Sequence, residues 1–291
     1  MSEIVKRFLT KNPCYTYNAN PEKLAGSTRK KYLDFQKNGP QGLMLHSVGC
    51  SQPSAMAFIN NWDNPSFERA CVHGFIDANT GVVYQTLPWN FRGWHSGGSS
   101  NNTHVGVEMC EPACIKYTGG STFTCSDYRA AVAAAERTTK AAVELFAQLC
   151  ILYNLDPLKS GVIISHAEGY KLGVASNHGD PEHLWRGLKI NYSMDKFRAD
   201  VAATIKELTA PPAEAEEEVR YKFIDDVPSE EFRNVLNTLV EAEILHGTGF
   251  EGEKRVIDLS HDMIRNIVFE YRGGAFDRKL IAKGLPPVVA V

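Results

Sequence analysis

Composition breaks once along this chain, at "LTAPPAEAEEEVR", Leu208 to Arg220. Adjacent prolines cannot continue a helix, and alanine mixed with glutamate stays solvated rather than packed. This stretch is therefore the best domain boundary in the chain. The break predicts a large N-terminal domain over 1–208, a linker over 209–220 and a small C-terminal piece over 221–291. At about seventy residues, that last piece lies near the lower limit for independent stability. Hydrophobic residues make up 43% of the 291 and charged residues 22%, enough for a real core in a soluble globular protein. A net charge of -3 gives no basic excess, which argues against nucleic acid as a partner. No basic tract reads as a membrane patch, and no run approaches the ~18 apolar residues of a membrane helix. The N-terminus "MSEIVKRFLTKNPCY" lacks the apolar stretch of a signal peptide. Synthesis in the cytoplasm without ordinary export is the expectation.

Short apolar runs in the first part read as strands. "GLML" ends just before His46, "HVGVEM" carries Glu108 near its end, and "GVIIS" ends just before His166. "CVHGFID", the turn "ANTG" and "VVYQTL" read as a hairpin, which requires at least one antiparallel pair. Two helices stand out. One starts at Ser126 or Asp127, with Val132, Val143, Phe146, Leu149 and Tyr153 along a buried stripe. The other is capped by Ser193, with Met194, Phe197, Val201, Ile205 and Leu208 on one face. The fold class is α/β, with a mixed central sheet flanked by helices.

Six of the seven cysteines lie in the first half, and none forms a CxxC pair, so a cysteine-only zinc site is not expected. Cys110, Cys114 and Cys125 could form a local disulfide in an oxidising medium, but reduced thiols are the favoured reading.

His46, Glu108 and His166 share a position type: polar residues at or near strand ends, where a sheet holds a side chain toward open space. Taken singly, each is more often structural than functional; together they suggest a site. Catalytic zinc takes three protein ligands and keeps a fourth position for water. His46 and His166 offer two imidazoles. The loop "SNHGDPEHLW" supplies the third, from Asp180 or His178, because no cysteine follows Cys150.

The order of His after "LML", then "VGVE", "SH" and "GDP" resembles the zinc-dependent type 2 N-acetylmuramoyl-L-alanine amidases, relatives of the peptidoglycan recognition proteins and phage endolysin amidases. "VHGFIDANTGVVYQTLPWNFRGWHSG", "NNTHVGVEM" and "SMDKFRADV" resemble further segments of that family, so the likeness runs from about Gly39 to Leu208. The resemblance implies zinc held by His46, His166 and Asp180, and hydrolysis of peptidoglycan at the bond between N-acetylmuramic acid and L-alanine. It implies Glu108 as the proton carrier and His178, where the family often has Lys, as the oxyanion donor. The catalytic Tyr of one family branch is replaced here by Val72, which leaves the proton to Glu108. A ligand set with His178 in place of Asp180 stays open.

Trp94 and His95 in "RGWHSGG" are candidate substrate contacts in a saccharide cleft, or a loop tucked under its rim. His73 reads as a satisfied core residue, Glu168 as structural and His183 as packing. In the C-terminal piece, two amphipathic helices carry Phe232, Leu236 and Leu239, and Met263, Ile267 and Tyr271. A lone hairpin cannot bury both faces, so they need the catalytic domain, a wall polymer or a second copy in a homodimer. "FIDDVPSEEFRNVLNTLVEAEILHGTG" resembles one surface-layer homology repeat without its usual polar signature. An endolysin acting on the cell wall after membrane breach is the expected role; a cytoplasmic recycling amidase or a non-catalytic recognition module is the alternative.

Overall fold

The computed structural model describes residues 3–210 and 218–289. The chain divides into two compact units, Met1–Ala210 and Pro211–Val291. Residues 211–217 of the expected linker lie outside the described residues.

The first unit runs β1 (Ile4–Lys6), α1 (Pro13–Ala19), α2 (Gly26–Asn38), β2 (Gly42–Ser47), α3 (Ala55–Trp62), β3 (Gly74–Ile76), β4 (Val83–Gln85), β5 (His104–Met109), β6 (Ile115–Gly119), β7 (Thr122–Cys125), α4 (Tyr128–Tyr153), β8 (Ile163–Ser165), α5 (His166–Lys171), α6 (Glu182–Gly187) and α7 (Met194–Thr209). Six strands form one sheet in the order β1-β4-β3-β5-β2-β8. Every pairing in it is parallel except the β3–β4 hairpin, the one expected from its turn signal. The sheet is mixed for that reason.

Alternation along β2 and β5 sets the two faces apart. Leu43 and Leu45 of β2 and Val105, Val107 and Met109 of β5 enter one core with Leu145, Phe146 and Leu149 of α4 and Phe197 and Val201 of α7. Each fully buried Leu or Phe there stabilises the fold by about 1.5–3 kcal/mol. The intervening residues, His46 on β2 and Gly106 and Glu108 on β5, fall on the opposite face. Asp127 caps α4 by accepting from the Ala130 amide at 3.0 Å. Ser193 caps α7 in the same way through the Lys196 amide at 3.3 Å. On α7, Leu208 departs from expectation: it is 39% exposed, because the fully buried stripe ends at Val201 and Ile205 is only half-buried. All seven cysteines are free thiols.

The second unit is more than a helix pair. Short strands β9 (Arg220–Tyr221), β10 (Gly249–Glu251), β11 (Lys254–Val256) and β12 (Leu259–Ser260) join α8 (Glu230–Glu241), α9 (His261–Arg272) and α10 (Asp277–Ala282). Its own core contains Val227, Val235, Leu236, Leu239, Ile257, Leu259, Ile264 and Val268. The expected face of α9 is out by one position. Ile264 and Val268, at i and i+4, are buried, whereas Met263 is 45% exposed. Loop and strand residues Ile257 and Leu259 cover what a bare hairpin would leave open. The unit therefore buries its central apolar residues itself.

Among the described residues, no helix is long and apolar enough to cross a membrane.

Candidate active site

Three strand ends and one returning loop build the site. His46 is the penultimate residue of β2, and Glu108 stands beside it in register on β5. His166 opens α5 directly after β8. Ser165 fixes that junction: its Oγ accepts from the Glu168 amide at 3.0 Å, and the Glu168 carboxylate accepts from the Ser165 amide at 3.1 Å. Arg198 of α7 holds the same carboxylate through both of its terminal nitrogens, so Glu168 is structural. The loop then folds back over β2. The Asp180 carbonyl accepts from the Ala167 amide at 3.2 Å, and its Oδ2 accepts from the Ser47 amide at 3.3 Å.

These anchors bring three donor atoms together. His46 Nδ1 lies 3.0 Å from His166 Nδ1 and 3.3 Å from Asp180 Oδ2. His166 Nδ1 lies 3.6 Å from Asp180 Oδ1. Ligands bound to zinc at 2.0–2.1 Å in a tetrahedron stand roughly 3.3 Å apart. The His/His/Asp set offers one ligand atom from each side chain, all within 4.8 Å of one another, a group that could hold one such ion. Among the described residues, this is the one group of three whose ligand atoms converge in this way. His178 is placed differently. Its Nδ1 is 3.1 Å from His166 Nε2, on the side of that ring away from the converging Nδ1 atoms, and 3.1 Å from Ser176 Oγ.

The electrostatics follow from burial against pairing. Burial disfavours a charge on His46, but its hydrogen bond to Asp180 and the nearby Glu108 and Asp180 carboxylates prevail and raise its pKa. Burial, then the His46 charge, pushes His166 down to about 4. Asp180 is also opposed by burial, yet the His46 hydrogen bond and the two imidazoles hold it below the usual carboxylate range. Glu108 is pushed up to about 8, chiefly by burial, with Asp180 and Glu111 adding to it against the opposing pull of His46. Its Oε2 is buried with no hydrogen-bond partner among the described residues. A buried acceptor without a donor is costly unless a ligand supplies one.

A cleft of about 590 Å³ opens over this cluster, lined among others by Ser47, Glu108, Tyr117, His178, Asp180 and His183. Sequence reasoning missed one wall of it. Glu111 is fully buried; its Oε1 accepts from the Gly49 amide at 3.1 Å, and burial raises it to about 7. Tyr117, on β6, donates to Glu111 Oε2 at 2.6 Å and lies 2.6 Å from His183 Nε2. His183 is thus part of a polar network as well as packing the loop.

The structure does not leave Trp94 and His95 as free contacts for a sugar. Trp94 is not among the cleft-lining residues; its Nε1 donates to Tyr32 Oη at 2.7 Å and its ring packs on Tyr17. His95 reaches the cleft floor but is buried behind His46, with both ring nitrogens engaged. His73 is a satisfied core residue, accepting from the Gly106 amide at 3.0 Å and donating to the Phe91 carbonyl at 2.7 Å.

The family model for N-acetylmuramoyl-L-alanine amidase matches residues 36–183. The chain belongs to that family. The matched span contains the three converging ligands and Glu108 of this amidase. Among solved structures, the amidase is similar to the Staphylococcus aureus hydrolase AmiA in complex with its ligand, at 22% identity and a TM-score of 0.45, over 57% of this chain and 73% of that one. A mutant endolysin from Bacillus subtilis matches at 20% identity and a TM-score of 0.43, over 69% and 99%. The amidase LysC from Clostridium intestinale matches at 15% and 0.31, over 54% and 89%. No curated protein sequence matches the chain.

Proposed function

We propose that this amidase binds zinc through His46, His166 and Asp180 and hydrolyses the amide between the lactyl group of N-acetylmuramic acid and the L-alanine of the stem peptide. The observation that carries the proposal is the convergence of one ligand atom from each of three side chains, within 4.8 Å of one another, in a site that also holds a buried, unpartnered Glu108 oxygen. Zinc in that position supplies a Lewis acid and lowers the pKa of a bound water toward ~7. Glu108 takes the proton from the attacking water as oxygen adds to the carbonyl carbon. It then gives that proton to the alanine nitrogen as the C–N bond breaks. A group whose surroundings favour its neutral form can hold a proton between these two events. His178, at the cleft edge, donates to the carbonyl oxygen as it gains negative charge. The products are a carboxylic acid on the lactyl side and a new L-alanine amino terminus.

We extend the proposal to a bacteriolytic role on the cell wall, as a phage or prophage endolysin. The catalytic unit is followed by a second compact unit with its own core, an arrangement suited to an enzyme held on a polymer. The test is to measure bound zinc and muropeptide release, with and without chelator, on intact sacculi and on soluble muropeptides. One zinc per chain and chelator-sensitive release of L-alanine termini are expected, with sacculi preferred. Stoichiometric peptidoglycan binding without zinc or new termini would identify a recognition module instead. Preference for soluble muropeptides would replace the endolysin role with recycling.

A further inference from the structure

His95 lies behind the ligand cluster, and its two hydrogen bonds have a defined direction. Its Nε2 is 3.0 Å from the main-chain carbonyl of His104. A carbonyl only accepts, so Nε2 carries the hydrogen. A neutral imidazole protonated there has a lone pair on Nδ1, and that atom is 3.0 Å from His46 Nε2. His46 Nε2 must then be the donor. With that hydrogen fixed at Nε2, a neutral His46 ring has its lone pair on Nδ1, the atom that meets His166 and Asp180. Any proton that His46 Nδ1 shares with Asp180 is the one a metal would displace.

Resting on the zinc reading above, we propose that His95 is a positioning residue, which fixes the tautomer and ring direction of His46 so that Nδ1 is presented to the metal. The surroundings hold His95 in place from three sides. The His95 and Ser96 amides both donate to Asn101 Oδ1, at 2.8 and 3.0 Å. A Cβ at Gly106 would fall 2.3 Å from His95 Cγ, and one at Gly93 would fall 2.9 Å from His95 Cδ2. Both positions thus accommodate the ring only as glycine. The second imidazole ligand is oriented through a hydroxyl instead. His166 Nε2 faces Ser176 Oγ at 3.2 Å and His178 Nδ1 at 3.1 Å. Ser176 Oγ gives its hydrogen to the Ser96 carbonyl at 3.1 Å and so meets the imidazoles as an acceptor. Metal-bound imidazoles are commonly oriented by a partner on the distal nitrogen, and losing that partner weakens binding about 10–100-fold.

The experiment uses the full chain. Long-range ¹⁵N–¹H NMR of the metal-free protein should show the hydrogen on Nε2 of both His46 and His95. Competition with a chromogenic chelator should show zinc binding weakened about 10–100-fold in His95→Leu. It should recover most of the loss in His95→Gln, whose amide can both donate and accept. Tight zinc binding by the wild type with unchanged affinity in His95→Leu would overturn the role of His95 alone. So would an His46 ring protonated on Nδ1 and not on Nε2, a result that needs no variant to fold. Absence of zinc binding by the wild type would instead overturn the zinc reading beneath it.

Discussion

The two walls of the cleft are made differently. On the sheet wall, His46, Glu108 and the His95 behind them sit on or against paired strands. On the loop wall, Asp180, His178 and Ser176 come from a returning segment. Separate hydrogen bonds hold it, among them those of the Ser176 amide and hydroxyl to the Ser96 carbonyl at 2.8 and 3.1 Å. The strand ladder dictates position and even hydrogen direction on the first wall. On the second, position depends on hydrogen bonds made by the returning loop and not on a strand ladder.

The sharpest way to break this comparison is at Glu108. Glu108→Gln should lower kcat by about 10²–10⁴ while one zinc per chain is retained, read by turnover of purified muropeptide and elemental analysis. Retained activity would move the proton-carrying role to the other wall. Next comes His178→Ala, with an expected loss of about 10² in kcat and little change in KM, as for an oxyanion donor. A rise in KM at constant kcat would make His178 a binding residue only. Zinc should also stabilise the fold, because both walls must be in place to bind it. At a hundredfold excess over its Kd, about 2.7 kcal/mol is expected, seen as a chelator-induced fall in Tm. An unchanged Tm would mean that the donors do not converge in solution.

The smallest effect is one of pH on the metal-free protein. The folded-state pKa of Glu108, about 8, lies above its ordinary 4.5. Its contribution to stability is therefore fully present below pH 4.5 and is lost as pH rises through 8. Glu108→Gln should not differ much from wild type at pH 4.5 but should melt about 5 °C higher at pH 9, by differential scanning calorimetry. A gap that narrows with rising pH would show that Glu108 is not buried as described. His73 gives the opposite slope. Burial lowers it to about 4, so its contribution fades as pH falls from 6.5 through 4.

The sheet wall was the more legible of the two in the sequence. His46, Glu108 and His166 each follow or interrupt an apolar alternation, and that pattern alone places them at strand ends. The β3–β4 hairpin was readable from its turn for the same local reason. Asp180 was one candidate among loop residues until family resemblance favoured it, since the return of the loop onto Ser47 is a tertiary event. The network of Glu111, Tyr117 and His183 left no local trace. It exists because β6 and β7 pair and bring Tyr117 against residues 6 and 66 positions away. The α9 face was misjudged by one residue because helical periodicity sets spacing, while the phase comes from what the helix packs on. His95 stands in the sequence as a candidate substrate contact or part of a loop under the rim, because "RGWHSGG" has no periodicity to show that its ring turns inward.

Gly106 has a consequence for anyone redesigning this enzyme. It contributes no atom to the cleft, and a substitution there would look harmless beside changes to histidines and carboxylates. Yet a single methyl group at that point claims the space of the His95 ring. In the zinc site we propose, part of the ligand geometry is thus kept as reserved volume in the middle of a strand. The loop and the β6–β7 hairpin line the cleft and leave that space untouched, whereas a side chain at Gly106 would fill it.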